Sequence, residues 1–130
     1  MLECLILGDS IAVGISQYRP ECAVYAQVGI TSKNWNNKFL VKKLNAKTTV
    51  ISLGSNDYSE AKTFQELYAL RQTISGRVLW ILPANGTDRQ TAVVKVSHIY
   101  NDITLIIPEL KKDKIHPTTR AYRELAEQTR

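Results

Sequence analysis

The chain has 130 residues, of which 44% are hydrophobic and 22% are charged, and its formal net charge is +5 at pH 7. This balance excludes intrinsic disorder, and the length predicts a single domain spanning residues 1–130. No apolar run approaches the roughly 18 residues that cross a bilayer, so we expect no membrane span. The first apolar run contains Glu3 and ends at Leu7. It therefore predicts a buried strand rather than a signal peptide, and a cytoplasmic location is the default expectation.

Cys4 and Cys22 have neither a CxxC pattern nor the spacing of a metal site, which predicts buried, reduced thiols. The basic residues are concentrated in short runs. These runs contain Lys38, Lys42, Lys43, Lys47, Lys111 and Lys112. Solvated helix faces and loops are the favoured interpretation, because the runs lack the interleaved aromatic residues on which bases stack. We therefore expect no nucleic-acid partner, with attraction to an anionic partner as the alternative.

Short apolar runs alternate with amphipathic stretches along the whole chain. Near-continuous apolar runs of this length are typical of strands that are buried on both faces of a parallel sheet. The predicted strands are Leu2–Leu7, Cys22–Gln27, Thr49–Leu53, Arg77–Leu82 and Ile103–Ile107.

The stretches between these runs have apolar residues at helical spacing, at positions 35–44, 64–74 and 92–99. Capping boxes predict helix starts at Thr63 and Thr87, and a last helix is predicted to begin at Pro117. Its inward-facing residues are predicted to be Ala121, Tyr122 and Leu125. The repeated strand–helix alternation predicts an α/β fold with one open parallel sheet and helices on both faces.

Ligands of open α/β sheets bind beyond the carboxyl ends of the strands. Small and polar residues concentrate directly after the predicted strands, at that edge of the sheet. These segments are 8–10, 28–31, 54–57, 83–86 and 108–116. The chemistry of the chain is therefore expected at this edge.

Ser10 follows the first predicted strand and precedes a short helix. A helix N-terminus favours developing negative charge, but a serine hydroxyl is a weak nucleophile until a base takes its proton. His116 is the candidate base, because it lies in the segment after the fifth strand, three residues after Asp113. An acid at this spacing can orient the imidazole if the turn closes. Ordinary helix capping is the alternative for both Ser10 and His116. His98 lies inside a predicted helix and is interpreted as a surface or boundary residue.

Hydrolysis of an ester places negative charge on the carbonyl oxygen, which hydrogen-bond donors must stabilise. The candidate donors are the backbone N–H groups of Ser10 and Gly29 and the side-chain amide of Asn56. Simple turn chemistry is the alternative for Gly29 and for segment 54–57. The nucleophile, the donors and the acid–base pair thus fall at successive strand ends.

The motifs that contain these residues, and their order along the chain, resemble those of the SGNH (GDSL-type) hydrolase family, which is named for Ser, Gly, Asn and His in four sequence blocks. The four matching segments are Gly8-Asp9-Ser10-Ile11, Gly29-Ile30-Thr31, Gly54-Ser55-Asn56-Asp57 and Asp113-Lys114-Ile115-His116-Pro117-Thr118. The resemblance implies a flavodoxin-like α/β/α sandwich with a five-stranded parallel sheet of order 2-1-3-4-5. It implies neither a metal nor an organic cofactor.

The resemblance also implies roles for individual residues. Ser10 would be the nucleophile, His116 its base and Asp113 the orienting acid. The oxyanion hole would consist of the N–H groups of Ser10 and Gly29 with the Asn56 side chain. Asp9 and Asp57 would support the local loops.

A serine esterase that hydrolyses carboxylic esters through an acyl-serine intermediate is the expected function. The loops after the third and fourth strands are short, which predicts a shallow cleft and short acyl groups, such as acetyl on a small molecule or a carbohydrate. Trp35 and Tyr58 are candidates to flank a sugar, with core or boundary packing as the alternative. The lysines at 111, 112 and 114 either attract an anionic polymer or are simply solvated.

Other functions remain open at this point. A non-catalytic binding module and an acyltransferase would share the scaffold. A phosphate-binding domain is disfavoured, because the loop at Ser10 lacks the glycines and lysine of a phosphate cradle. A flavin-binding domain of the same architecture would show a visible absorption band. The sequence indicates no oligomeric state.

Overall fold

A computed structural model describes residues 1–40, 42, 44–84 and 86–130. Lys43 of the first basic run and Asn85 of segment 83–86 lie outside these described residues. No helix in the described part of the chain is long and apolar enough to cross a membrane.

Strands and helices alternate through the described residues. The strands are β1 (Leu2–Gly8), β2 (Ala23–Ala26), β3 (Ala46–Ser52), β4 (Arg77–Ile81) and β5 (Ile103–Leu105). The helices are α1 (Ser10–Ser16), α2 (Ser32–Phe39), α3 (Glu60–Arg71), α4 (Thr87–Tyr100) and α5 (Thr119–Gln128). All strand pairs are parallel, and the sheet order is β2-β1-β3-β4-β5. The predicted α/β fold and strand order are therefore confirmed.

The central strands β1, β3 and β4 are buried on both faces, which explains their near-continuous apolar runs. Successive side chains of a strand point to opposite faces. Leu5 and Leu7 of β1 pack into the cluster that contains Trp35 on the α2, α3 and α4 side. Ile6 packs into the opposite cluster with Leu125, on the α1 and α5 side. The result is a three-layer sandwich in which β1, β3 and β4 lie at the centre of the sheet.

Helix α3 begins earlier than its capping pattern predicts. Ser59 is the N-cap, and its side chain accepts a hydrogen bond from the Lys62 backbone N–H at 3.4 Å. The predicted start at Thr63 is wrong, because this residue is buried inside α3 and its hydroxyl donates to Asp57 Oδ2 at 2.8 Å. The Thr63 hydroxyl therefore binds the buried Asp57 carboxylate instead of capping a helix.

The other two predicted helix starts are each displaced by a short distance. Gly86, not Thr87, is the N-cap of α4, and it makes no side-chain capping bond. Thr118 is the N-cap of α5 and accepts a hydrogen bond from the Ala121 N–H at 3.1 Å. Pro117 lies outside the helix, because it pairs with Leu110 in an isolated antiparallel bridge.

Cys4 and Cys22 form a disulfide, with their Cα atoms 4.8 Å apart, so the prediction of reduced thiols is wrong. The reason is the register of the sheet: Leu5 of β1 lies opposite Ala23 of β2, so the residues that precede them are also neighbours. Disulfides persist mainly in oxidising compartments. The disulfide therefore weighs against the default expectation of a cytoplasmic location.

Candidate active site

Ser10 is held at the carboxyl edge of the sheet by a close approach between β1 and β3. Gly8 has φ +143°, and a Cβ at this position would lie 1.9 Å from the carbonyl oxygen of Ser52. The Asp9 N–H donates to the same oxygen at 2.9 Å. Only glycine fits here, so the chain turns sharply from β1 into α1 and places Ser10 in the first turn of the helix. The Ser10 N–H is one of the first-turn groups that lack an intrahelical acceptor.

Asp9 stabilises the turn between β1 and α1 through its side chain. It is fully buried and caps α1, with Oδ1 accepting hydrogen bonds from the Ile11 N–H at 3.0 Å and the Ser52 hydroxyl at 3.1 Å. Its Oδ2 has no hydrogen-bond partner among the described residues. Burial raises the pKa of Asp9 from its ordinary value of 3.8 to about 6, against the opposing effect of these hydrogen bonds.

Asp9 should make the stability of the chain depend on pH. Because its pKa is higher in the folded than in the unfolded chain, its stabilising contribution is complete below about pH 4 and is lost as the pH rises through about 6. Asp9→Asn keeps an acceptor oxygen but has no charge. We expect the unfolding free energy of this variant, relative to that of wild type in urea titrations, to rise by about 2 kcal/mol between about pH 4 and pH 7.

Asp88→Asn provides the control, since Asp88 is an exposed aspartate in the first turn of α4. Its unfolding free energy relative to wild type should change by less than about 1 kcal/mol over the same pH range. An Asp9→Asn difference that is the same at both pH values would contradict the burial of a charged carboxylate.

The segment after β5 folds into a small closed turn that carries Asp113 and His116. The Lys111 N–H donates to the His116 carbonyl at 2.8 Å, and the Lys114 N–H donates to the Lys111 carbonyl at 2.9 Å. Lys114 closes the turn with φ +60°, in the left-handed region. Asp113 Oδ1 accepts hydrogen bonds from the N–H groups of Ile115 at 2.9 Å and His116 at 3.0 Å.

The turn brings the predicted acid, base and nucleophile into one hydrogen-bonded chain. His116 Nδ1 lies 2.6 Å from Asp113 Oδ2, and His116 Nε2 lies 3.0 Å from Ser10 Oγ. The two backbone N–H groups and then the imidazole hold the pKa of Asp113 well below its ordinary value. Asp113 is therefore an anion throughout the neutral range. About two fifths of each of the His116 and Asp113 side chains is exposed, so the site is open to solvent.

Lys114 offers a test of this turn, because a β-branched residue disfavours the left-handed region by about 1–2 kcal/mol. Lys114→Ile should displace Asp113 and His116 and lower kcat/KM for p-nitrophenyl acetate by roughly tenfold or more. Lys114→Gly should stay close to wild type, since glycine adopts this conformation without strain. The control is Lys112→Ile, at an exposed position of the same segment that has no positive φ. Equal losses in the two isoleucine variants would show that the turn geometry is not responsible.

Gly29 and Asn56 lie on the loops after β2 and β3, the strands on either side of β1. Asn56 Nδ2 donates to the carbonyl oxygen of Ile30 at 3.0 Å, which joins the two loops. An amide nitrogen carries two hydrogens, so one remains for another acceptor. Gly29 is exposed with φ +78°, and a Cβ there would meet nothing within 4 Å. The three strand ends that carry Gly29, Ser10 and Asn56 are therefore neighbours at one edge of the sheet.

Asp57 connects three elements around these loops. Its Oδ1 accepts from the Ser32 N–H at 2.9 Å, and its Oδ2 accepts from the Thr63 hydroxyl at 2.8 Å. Its carbonyl oxygen accepts from Arg89 Nε at 2.7 Å. The start of α2, α3 and α4 are thereby fixed to the loop that carries Asn56.

The two aromatic candidates have different environments. Trp35 is fully buried in the core, and its indole N–H donates to the Tyr25 carbonyl at 2.8 Å. The prediction that it flanks a sugar is wrong, and the core alternative is correct. Tyr58 is 93% exposed. His98 is exposed on α4, as interpreted from the sequence.

Ser52 and Thr63 are supporting residues that sequence reasoning did not identify. Both use a buried hydroxyl to bind an aspartate of the motif segments, Asp9 and Asp57 respectively. Their sequence context, a strand end and a helix interior, gives no signal for such a role. Among the described residues, no three His, Cys, Asp or Glu side chains are grouped so that they could hold a metal ion.

No protein-family model matches the sequence, and no curated protein matches it. Solved structures of similar fold include a protein from Bacteroides fragilis assigned as an acylhydrolase, with a TM-score of 0.72, 15% identity and coverage of 96% of this chain and 83% of that one.

Two further structures are similar over nearly the whole chain. The C-terminal catalytic domain of peptidoglycan O-acetyltransferase A from Streptococcus pneumoniae, solved with a methylsulfonyl adduct, has a TM-score of 0.68 and 16% identity, covering 97% of this chain and 89% of that one. A protein from Bacteroides uniformis assigned as a GDSL-like lipase has a TM-score of 0.67 and 11% identity, covering 98% and 93%. The chain thus has the fold of the SGNH, or GDSL-type, hydrolases.

Proposed function

We propose that this chain is a serine-dependent acyl-ester hydrolase of the SGNH type. The observation that carries the proposal is the hydrogen-bonded chain from Ser10 Oγ through His116 to Asp113, at 3.0 Å and 2.6 Å. Helix capping alone does not account for this arrangement, because Asp9 and Thr118 cap α1 and α5. The nucleophile and base interpretations of Ser10 and His116 are therefore preferred to the capping ones.

In the first half of the reaction, His116 Nε2 takes the proton from Ser10 Oγ as the oxygen attacks the ester carbonyl. The imidazole becomes positively charged, and the anionic Asp113 stabilises this charge through Nδ1–H. The carbonyl oxygen becomes an oxyanion. The N–H groups of Ser10 and Gly29 and the second amide hydrogen of Asn56 are the proposed donors to it.

In the second half, His116 gives its proton to the departing alcohol and an acyl-serine remains. A water molecule then attacks the acyl carbon while His116 takes its proton. Ser10 leaves with that proton, and the carboxylic acid is released. The site is open, and Asp113 and His116 are both partly exposed, which favours short acyl groups such as acetyl over long acyl chains.

Covalent labelling tests the nucleophile directly. Methylsulfonyl fluoride should add one methylsulfonyl group to wild type, located on the peptide that contains Ser10 by mass spectrometry. Ser10→Ala should not be labelled, and His116→Ala should be labelled much more slowly because the base is missing. Ser16→Ala, which removes a serine of the same helix, should be labelled as fast as wild type. Labelling that persists in Ser10→Ala would contradict the assignment.

An acyltransferase is the second candidate, favoured by the likeness to the O-acetyltransferase catalytic domain over 97% of this chain. It would form the same acyl-serine but pass the acyl group to a hydroxyl other than water. The two functions are separated by adding alcohols or sugars to the p-nitrophenyl acetate reaction. A hydrolase releases acetate as fast as p-nitrophenol, whereas a transferase releases p-nitrophenol in excess and forms an acetylated acceptor.

A further inference from the structure

A cleft of about 460 Å³ opens between the start of α2 and the start of α3. Thr31 and Lys33 line it on one side, and Tyr58, Ser59 and Lys62 line it on the other. Its volume lies within the range of small-molecule sites, about 300–1,000 Å³. The cleft is therefore large enough for one ring of a substrate.

The cleft adjoins the proposed oxyanion donors. Thr31 lies two residues after Gly29, and Tyr58 lies two residues after Asn56. The 3.0 Å hydrogen bond from Asn56 to the Ile30 carbonyl joins the two loops at this point. Asp57, which directly follows Asn56, lines the cleft itself. The cleft is therefore formed by the same two loops that carry Gly29 and Asn56.

Tyr58 is an exposed aromatic residue between two clefts. Its side chain is 93% exposed, and it also lines a smaller cleft of about 270 Å³ towards α4. Large aromatic side chains normally bury most of their surface. An exposed aromatic face can contact the apolar C–H face of a sugar ring while the sugar hydroxyl groups meet polar neighbours. Tyr58 is thus suited to act as a platform for a sugar.

The hydrogen-bonding groups of the cleft are both donors and acceptors. The ammonium groups of Lys33 and Lys62 have no ion-pair partner among the described residues. Gln65 adds an amide with two donor hydrogens and an acceptor oxygen. The hydroxyl of Thr31 accepts from the Asn34 N–H at 3.1 Å, which leaves its own hydrogen to donate. Such a mixed lining suits a ligand rich in hydroxyl groups rather than an acyl chain.

The formal charges of the cleft cancel. Lys33 and Lys62 contribute two positive charges, and Asp57 and Glu66 contribute two negative ones. Both oxygens of Asp57 already accept hydrogen bonds, and Glu66 Oε2 accepts from Asn36 Nδ2 at 2.8 Å. The cleft therefore has no net charge that would select an anionic ligand.

We propose that this cleft binds the alcohol part of the substrate as an uncharged sugar ring, with Tyr58 as its platform. The inference rests on the proposed function for the ester reaction at Ser10, but sugar binding itself does not require Ser10. Tyr58 and the lysines are binding residues in this proposal, and they take no part in bond making or breaking.

Kinetics provide the first test. The ratio of kcat/KM for O-acetylated xylose to kcat/KM for p-nitrophenyl acetate should fall about tenfold in Tyr58→Ala and stay near wild type in Tyr58→Phe, which keeps the ring. The matched control is Ile106→Ala, since Ile106 is a 74% exposed apolar residue outside the cleft. It should leave the ratio unchanged. An unchanged ratio in Tyr58→Ala would overturn the proposal.

Binding provides a second test that does not depend on catalysis. Xylotriose should shift the NMR amide signals of residues 31–33 and 57–62 in Ser10→Ala, and adding Tyr58→Ala should weaken its affinity about tenfold. Glucuronate should bind no more tightly than xylotriose. If xylotriose shifts no signal, or if glucuronate binds more tightly, the proposal is wrong even when the ester reaction is confirmed. Tyr58-dependent xylotriose binding without hydrolysis of any ester would support the sugar site and contradict the proposed function.

Discussion

Ser10→Ala is expected to lower kcat for p-nitrophenyl acetate by about ten thousandfold or more, because it removes the atom that forms the acyl intermediate. The side chain makes one described hydrogen bond, to His116, so the unfolding free energy should change by no more than about 1 kcal/mol. Initial rates of p-nitrophenol release, together with urea unfolding of the same samples, separate loss of chemistry from loss of fold.

Ser16→Ala is the matched control for this result. Ser16 lies in the same helix, is half-buried and donates to the Val13 carbonyl at 2.6 Å, a bond that does not involve His116. Its kcat should equal that of wild type. If Ser10→Ala remained as active as Ser16→Ala, the reaction would not pass through Ser10.

The fold was predictable because each strand leaves a local signal. From Cys4 to Leu7 the first run is apolar on both alternating faces, and its side chains pack into the two core clusters on either side of the sheet. Parallel pairing follows from the helical stretches between the runs. The boundaries of β2 were less predictable: the strand covers only Ala23–Ala26, and its residues at the sheet edge are partly exposed.

Features that depend on register or on one face of a helix were not predictable. The Cys4–Cys22 disulfide is set by the alignment of β1 with β2, which a spacing of 18 residues does not reveal. Trp35 and Tyr58 both follow motif residues, yet one fills the core and the other projects into solvent. Sequence spacing gives the distance along the chain from a motif but not the direction of the side chain.

The candidate site shows the same division. The sequence predicts that Ser10, Asp113 and His116 lie at one edge of the sheet. The structure shows which backbone conformation lets Asp113 contact His116. That conformation is the left-handed backbone of Lys114, and lysine is not a residue type that indicates a positive φ. The sequence likewise does not indicate the supporting roles of Ser52 and Thr63, because serine and threonine also occur at strand ends and in helices without binding a carboxylate.

Asn56→Ala should separate stabilisation of the oxyanion from binding of the substrate. We expect kcat for p-nitrophenyl acetate to fall about one hundredfold to one thousandfold with little change in KM, since the amide hydrogen meets its acceptor only as charge develops. Loss of the hydrogen bond to Ile30 should reduce the unfolding free energy by about 1 kcal/mol, which urea titration measures independently.

The control for this prediction is Asn37→Ala, which removes an exposed asparagine from α2 and should leave kcat unchanged. Two outcomes distinguish the possible roles of Asn56. A fall in kcat at constant KM indicates a donor to the transition state, whereas an unchanged kcat with a lower unfolding free energy indicates that Asn56 only joins the loops after β2 and β3 through its bond to Ile30. The second outcome would contradict the proposed oxyanion hole while leaving Ser10, His116 and Asp113 in their roles, because the hydrogen bonds that join these three residues do not pass through Asn56.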